Sequence, residues 1–271
     1  MPKIILSKKG FDTTYGGYPS IINDKELISM PIPWSGTGFT YGQLHTPSGK
    51  NLFKIAEPYY SKTGVYDEKH NKIPFTRDTT CHPCPNVSNF FNRDNFCASF
   101  GQEGKPQGHL NNQGVGKDDI FLFFGLFKIG NEFKHIIYGY MKVGDIIKPQ
   151  QLEQSREYYE KKYPWLNDQP HWTKGYAGEQ NTIYVAEQNG YGAFAFDKEL
   201  VLTRDGASTQ RDWYVPALDG LTLSWGKKTF ENGQVTLANG YGQEYVIQES
   251  DQAIKWANDL IEKHKTVKTC Q

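Results

Sequence analysis

The sequence predicts an α+β fold: a strongly curved, mostly antiparallel sheet or barrel with a few peripheral helices and long loops. Two β-rich runs, Ile120 to Phe124 and His135 to Val143, are joined through a polar turn at Gly130-Asn131-Glu132 and read as an antiparallel hairpin. The first run does not alternate, so both its faces are expected to be buried, which puts the pair Ile120 to Phe124 and Ile136 to Val143 at the centre of the sheet. Short strand-like runs recur elsewhere with few helical stretches between them. The aromatic fraction of 14%, with 17 Tyr and 16 Phe, suits a β-rich core.

Taken in order, Lys3 to Ser7 is a short apolar strand, followed by a turn-rich segment. There Asp12, Thr13 and Thr14 can bond nearby backbone, and Gly16-Gly17 permits positive φ, so the loop could form an anion-binding nest. Leu27 to Pro33 is a second strand candidate. From about 48 to 99 the chain is rich in Lys, Asn, Thr, Asp and Pro, with Pro58, Pro74, Pro83 and Pro85 as breakers. It reads as a loop-rich insertion in a single domain spanning 1–271. Gly101 to Gly116 reads as a polar, glycine-rich loop. Gln151 to Lys162 reads as a helix ended by Pro164, and Trp165 to Gly178 as a loop. Asn181 to Ala186, Gly192 to Phe196, Glu199 to Thr203 and Glu244 to Gln248 are strand candidates, with short broken segments at Trp213 to Leu218 and Leu221 to Trp225. The last element is an amphipathic helix capped by Ser250, with Asp251 in its first turn and Ala253, Ile254, Trp256, Ala257, Leu260 and Ile261 on one face.

Composition narrows the function. With 30 basic and 30 acidic residues there is no global field to hold a nucleic-acid backbone, so any such contact needs a local patch. No apolar run approaches the roughly 18 residues of a membrane span, and no signal-peptide pattern opens the chain. A cytoplasmic protein with thiols rather than disulfides among Cys81, Cys84, Cys97 and Cys270 is expected. Cys81-His82-Pro83-Cys84 is half of a zinc site without a second ligand pair, and it lacks the H-x-E partner of a zinc deaminase. No metal is expected. The glycine spacings fit neither a Rossmann nor a Walker cofactor loop, and the cofactor stays unknown.

The amides of Gln102, Gln107, Asn111, Asn112 and Gln113 offer donor and acceptor together, as reading a base edge requires; alternatively they satisfy their own backbone. Candidate ligand-binding residues are Gly16, Gly17, Tyr41, Gln102, Gln107, Gln113, Trp172 and Gln243, with Tyr138 and Tyr241 as further stacking faces. Candidate catalytic groups are His109, His171, Asp12 and Glu244. Loops next to strands are where sites gather, so Asp12, Gly16, Gly17, His109, Gln113, His171 and Gln243 are expected to approach one pocket.

The pieces KIILSKKGFDTTYGGYPS, MPIP, QGHLNNQGVGKDDIFLFFGLF, HIIYGYMKVGDII, NTIYVA and GQEYVI stand in an order that resembles the third class of nucleotide-modification-associated domain proteins. The resemblance covers nearly the whole chain. It departs at 57–95, where Cys84 stands in the place of an expected acid. It implies a role beside systems that modify bases in DNA and supplies no catalytic residue set. A second, local resemblance, over Lys117 to Val143, is to PUA-like β-barrel domains such as the EVE and YTH modules, which hold one modified base in an aromatic-walled pocket. Together they imply a component of a base-modification system that recognises or processes a modified nucleobase or nucleotide, in DNA or alongside other proteins of that system, without a membrane. An enzyme of base hypermodification using His/acid chemistry and a scaffold in a modification complex stand as alternatives.

Overall fold

The computed structural model describes residues 1–36, 39–82, 98–151, 156–173, 180–238 and 242–265; of residues 168 and 173 it describes the backbone alone. Its centre is the predicted hairpin, extended at both ends. The strands of the main sheet are β1 (Ile4–Lys8), β2 (Ser99–Gln102), β3 (Ile120–Ile129), β4 (Glu132–Ile147), β5 (Thr182–Ala193) and β6 (Glu244–Val246). They form one sheet in the order β6-β1-β3-β4-β5-β2. Every neighbouring pair is antiparallel except β1 and β3, which run parallel with Ile5 opposite Phe121. The first eight residues of β3 are buried, as its unbroken apolar run requires.

The sheet curls into an open half-barrel and does not close. Bulges supply the bend: β4 carries an extra residue between Ile137 and Gly139 against β3 and another between Val143 and Asp145 against β5, while opposite Met141 to Val143 the extra residues belong to β5, between Ala186 and Tyr191. Glycine is required where β4 and β5 press together, because a Cβ on Gly139 would sit 2.7 Å from the Gly192 carbonyl oxygen.

Hydrophobic residues gather in two clusters. One surrounds β1, β3, β4 and β6 and takes in the C-terminal segment, including Trp213, Leu223 and Leu260. The other lies against Ile147, Ile183 and Val185 and takes in the segment 11–81 together with Trp165, Leu166 and Trp172.

The helices are α1 (Leu52–Tyr60), α2 (Gly104–Asn112), α3 (Arg156–Lys162), α4 (Pro170–Thr173) and α5 (Asp251–His264). In α5 the Ser250 hydroxyl accepts the Ala253 amide at 3.1 Å, as its capping pattern predicts. Several sequence expectations give way. The loop-rich insertion contains α1, capped by Asn51, with Leu52, Ala56 and Tyr60 buried on one face and Pro58 tolerated near its end. The glycine-rich "loop" is β2 followed by α2. The predicted strand Asn181 to Ala186 and the first two residues of Gly192 to Phe196 fall in β5, with Phe194 and Ala195 held by isolated bridges, while Glu199 to Thr203 begins as a 3-10 turn, Lys198–Leu200, followed by isolated bridges. Leu27 to Pro33 shortens to Glu26–Ile28, paired with Ile21–Asn23. The loop Trp165 to Gly178 contains a 3-10 turn, Pro164–Asp168, and α4; of the predicted helix Gln151 to Lys162, residues 152–155 lie outside the described residues.

Candidate functional site

The two edges of the half-barrel meet through side chains. Gln102, the last residue of β2, donates through Nε2 to Glu244 Oε1 at the start of β6, at 2.6 Å. The Lys9 ammonium, just past β1, donates to the same oxygen at 2.7 Å. A sheet edge exposes unpaired backbone; here a charged pair and an amide close the seam where backbone hydrogen bonds do not. The Glu244 side chain is wholly buried and that of Lys9 is 16% exposed.

Strand register decides what else faces this point. Ser7 is the cross-strand partner of Glu244 and also lies opposite Phe123. Phe100 packs on Phe123 with centroids 5.3 Å apart, stacks on Tyr184 at 5.1 Å and receives the Lys9 ammonium over its ring at 5.0 Å. The inner face at the seam therefore combines one buried carboxylate, one cation, one amide and two stacked rings.

Helix α2 covers it. Gln107 is fully buried and donates through Nε2 to the Tyr184 hydroxyl at 3.0 Å and to Asn111 Oδ1 at 2.9 Å. His109 Nε2 lies 2.8 Å from Ser224 Oγ, which itself accepts the Val246 amide at 2.9 Å. Burial holds the His109 pKa below the ordinary imidazole value, against the opposing pull of Glu244. Gly104 and Gly114, with φ of 61° and 62°, bracket α2.

Three buried side-chain atoms here have no hydrogen-bond partner among the described residues: Glu244 Oε2, Gln107 Oε1 and Ser7 Oγ. Buried polar groups are usually satisfied, and a carboxylate oxygen without a donor is costly, so each asks for an explanation.

The structure thus brings Gln102, Gln107, His109 and Glu244 together and separates the other candidates from them. His171 is on the far side of the sheet. Its ring lies where a Cβ on Gly101 would be, 2.0 Å from that position, and neighbouring residues of a strand face opposite ways. Its Nδ1 is 2.7 Å from Asn181 Oδ1, and the Asn181 amide donates to the His171 carbonyl at 2.8 Å. So His109 and His171 do not share a pocket. Asp12 accepts the Thr14 and Tyr15 amides and the Lys8 ammonium, each at 2.7 Å, as a turn-forming residue does. The Gly16 amide donates to the Tyr66 carbonyl at 2.9 Å, which withdraws it from an anion nest, and Gly17 packs on the Tyr66 ring. Tyr41 and Trp172 are core residues of the second cluster, and Tyr138 is buried in the first. Gln113 caps the end of α2, and Gln243 offers its carbonyl to the Lys8 amide. Tyr241, Cys84, Cys97 and Cys270 lie outside the described residues. Cys81 is buried, its Sγ 3.6 Å from the Phe39 carbonyl oxygen.

Ser7, Lys9, Phe100, Tyr184 and Ser224 were not legible as site residues. A basic pair directly after an apolar strand, Lys8-Lys9, was the one local signal.

Elsewhere, a groove of about 670 Å³ runs between Phe196, Tyr214 and Trp256, and none of the sequence candidates lines it. At its lip Asp197, Glu199 and His264 bring ligand atoms within 4.8 Å of one another. Glu199 is engaged there by Lys263 at 2.5 Å and by His264 at 3.2 Å, contacts that tie the end of α5 to the 198–200 turn.

The seating of His171 can be tested directly. Gly101→Ala is expected to push the ring off β2 and cost about 1–3 kcal/mol, read by denaturant unfolding. A variant as stable as the parent would show that the ring does not rest on this strand.

Fold and site together define an α+β protein whose half-barrel is sealed along its seam by side chains and a short helix. The description of nucleotide modification associated domain 3 matches residues 3–248, and the chain belongs to that family. The family name connects the protein with nucleotide modification. No curated protein and no solved structure matches the chain. Among the described residues no helix is long and apolar enough to cross a membrane.

Proposed function

We propose that the protein recognises or processes a modified nucleobase or nucleotide, and that the half-barrel seam is where it does so. The observation that carries this reading is the Glu244 carboxylate. One of its oxygens is held by Lys9 and Gln102, and the other is buried without a partner among the described residues, beside the stacked Phe100 and Tyr184 rings. Base recognition uses these two elements, a flat apolar face and a polar group aimed at the base edge. Because the site is covered, a ligand enters by displacing α2. Polar contacts from Gln107 and His109, and the buried Leu110, hold that helix to the body.

Zero net charge favours one base over a long duplex. Stacking contributes roughly 1–3 kcal/mol per base without a dense basic patch, so affinity should depend weakly on salt. The test is a binding and turnover screen of native and hypermodified DNA hydrolysates, read by mass spectrometry. Retention of a nucleoside without mass change supports recognition, and a mass change supports catalysis. Steep salt-dependent binding to plain duplex with neither outcome would defeat the reading.

A further inference from the structure

The groove between Phe196, Tyr214 and Trp256 is built from four stretches of chain: the turn joining β3 to β4, residues 196–205, residues 214–217 and α5. At about 670 Å³ it has the size of a small-molecule site, about 300–1,000 Å³. Leu202, Val215 and Leu260 are buried along it. Rings elsewhere pack on one another, as Phe100 does on Tyr184. Phe196, Tyr214 and Trp256 make no ring contact among the described residues, although all three line this groove and Tyr214 is 46% exposed. They leave flat apolar surface open, of the kind a planar ring covers.

The charges along the groove are unevenly engaged. Each acid has a cation nearby: Glu132 Oε2 lies 2.8 Å and Asp205 Oδ1 3.8 Å from Lys134 Nζ, Glu199 Oε1 2.5 Å from Lys263 and Asp259 Oδ2 2.5 Å from Lys255. The Lys198 ammonium and the Arg204 guanidinium make no ion pair among the described residues. Lys134, its side chain only 6% exposed, also donates to the Arg204 carbonyl at 3.3 Å, which fixes the backbone that carries the guanidinium. We infer that this groove is a second binding site and takes a nucleotide, its base against the Tyr214, Trp256 and Phe196 rings and its phosphate on Arg204, whose planar fork suits phosphate. The inference rests on the base-binding reading for the class of ligand and not for the place.

Deoxyadenosine 5′-monophosphate, deoxyadenosine and inorganic phosphate are titrated into the full chain by calorimetry. The monophosphate is expected to bind at least about tenfold more tightly than the nucleoside, and phosphate alone more weakly than either. Arg204→Gln is expected to erase that difference and leave nucleoside binding unchanged, and Tyr214→Ala to weaken nucleoside and nucleotide alike by about tenfold. Both side chains are exposed, and unfolding midpoints equal to the parent's show that the variants are folded. A short oligodeoxyadenylate run alongside separates two sources of the same chemistry: tighter binding than the monophosphate assigns the groove to one nucleotide of a single strand, and equal or weaker binding assigns it to the free nucleotide. Equal affinity for nucleoside and monophosphate, or phosphate bound as tightly as the nucleotide, overturns the inference. Binding lost in Glu244→Gln but parental in Arg204→Gln and Tyr214→Ala places the nucleotide at the seam, which overturns the groove site and upholds the reading of the seam. If neither nucleoside nor nucleotide binds, the groove site falls, and the seam is decided separately by the hydrolysate screen.

Discussion

Lys9→Met is expected to cost the protein about 3–5 kcal/mol of stability, because it strips the cation from a carboxylate that has no route to water. Glu244 is fully buried, and its donors in the structure are the Lys9 ammonium at 2.7 Å and the Gln102 amide at 2.6 Å. Once the ammonium is gone, one neutral amide must hold an ionised group in an aromatic surrounding. The double variant Lys9→Met, Glu244→Met is expected to recover most of the loss, since apolar replacement of both members of a buried pair is often neutral or better. Urea unfolding of parent, single and double variants measures both steps. A single variant within about 1 kcal/mol of the parent would mean that the seam is open to water and that Glu244 is not the buried anchor described above.

The second large effect is a dependence on pH. The His135 imidazole is buried between Phe124 and Trp213, with centroids 5.2 and 5.9 Å away, and its Nδ1 accepts the Trp213 indole N–H at 3.1 Å. Burial above all, with Lys8 and Arg211 adding positive charge nearby, pushes its pKa down to about 3. In the unfolded chain the ordinary value is about 6.5. Between those two values the unfolded state takes up a proton that the folded state refuses, so acid favours unfolding. The contribution is fully present above pH about 6.5 and is lost as the pH falls toward 3. At about 1.4 kcal/mol per pH unit, the whole window amounts to several kcal/mol. His135→Gln keeps an acceptor for Trp213 and does not titrate, so its stability is expected to be flatter than the parent's between pH 6.5 and 4. Parallel pH curves for parent and variant would contradict a buried neutral His135.

How far the sequence could be read is clearest at particular elements. The hairpin of β3 and β4 was legible because an unbroken apolar run can be satisfied only with both faces covered. Helix α5 was legible because its cap, its first-turn acid and its apolar spacing all lie within 14 residues. The amides Gln102 and Gln107 and the acid Glu244 were legible as candidates by residue type alone. Helix α2 was not, since its glycines and polar residues give little helical signal. It forms because Gln107 and Leu110 are anchored on the body, and tertiary contacts override weak propensity. Asp12, Gly16, Tyr41, His171 and Trp172 had the composition of a site, yet each is absorbed by a turn or a core.

What the chain determined by itself is local: which stretches are apolar on one face or on both, where caps and turns fall, and that an aromatic, charge-neutral α+β protein results. Which of its polar residues face one another was decided in three dimensions. Gln102 and Glu244 are 142 positions apart. They meet because bulges in β4 and β5 curl the sheet until its two edges approach. The parallel placement of β1 beside β3 then carries Lys9 to the same point. Periodicity reports on neighbours along the chain, whereas the curvature of a sheet is the accumulated twist of all its strands, and no single segment encodes where its edges will come together.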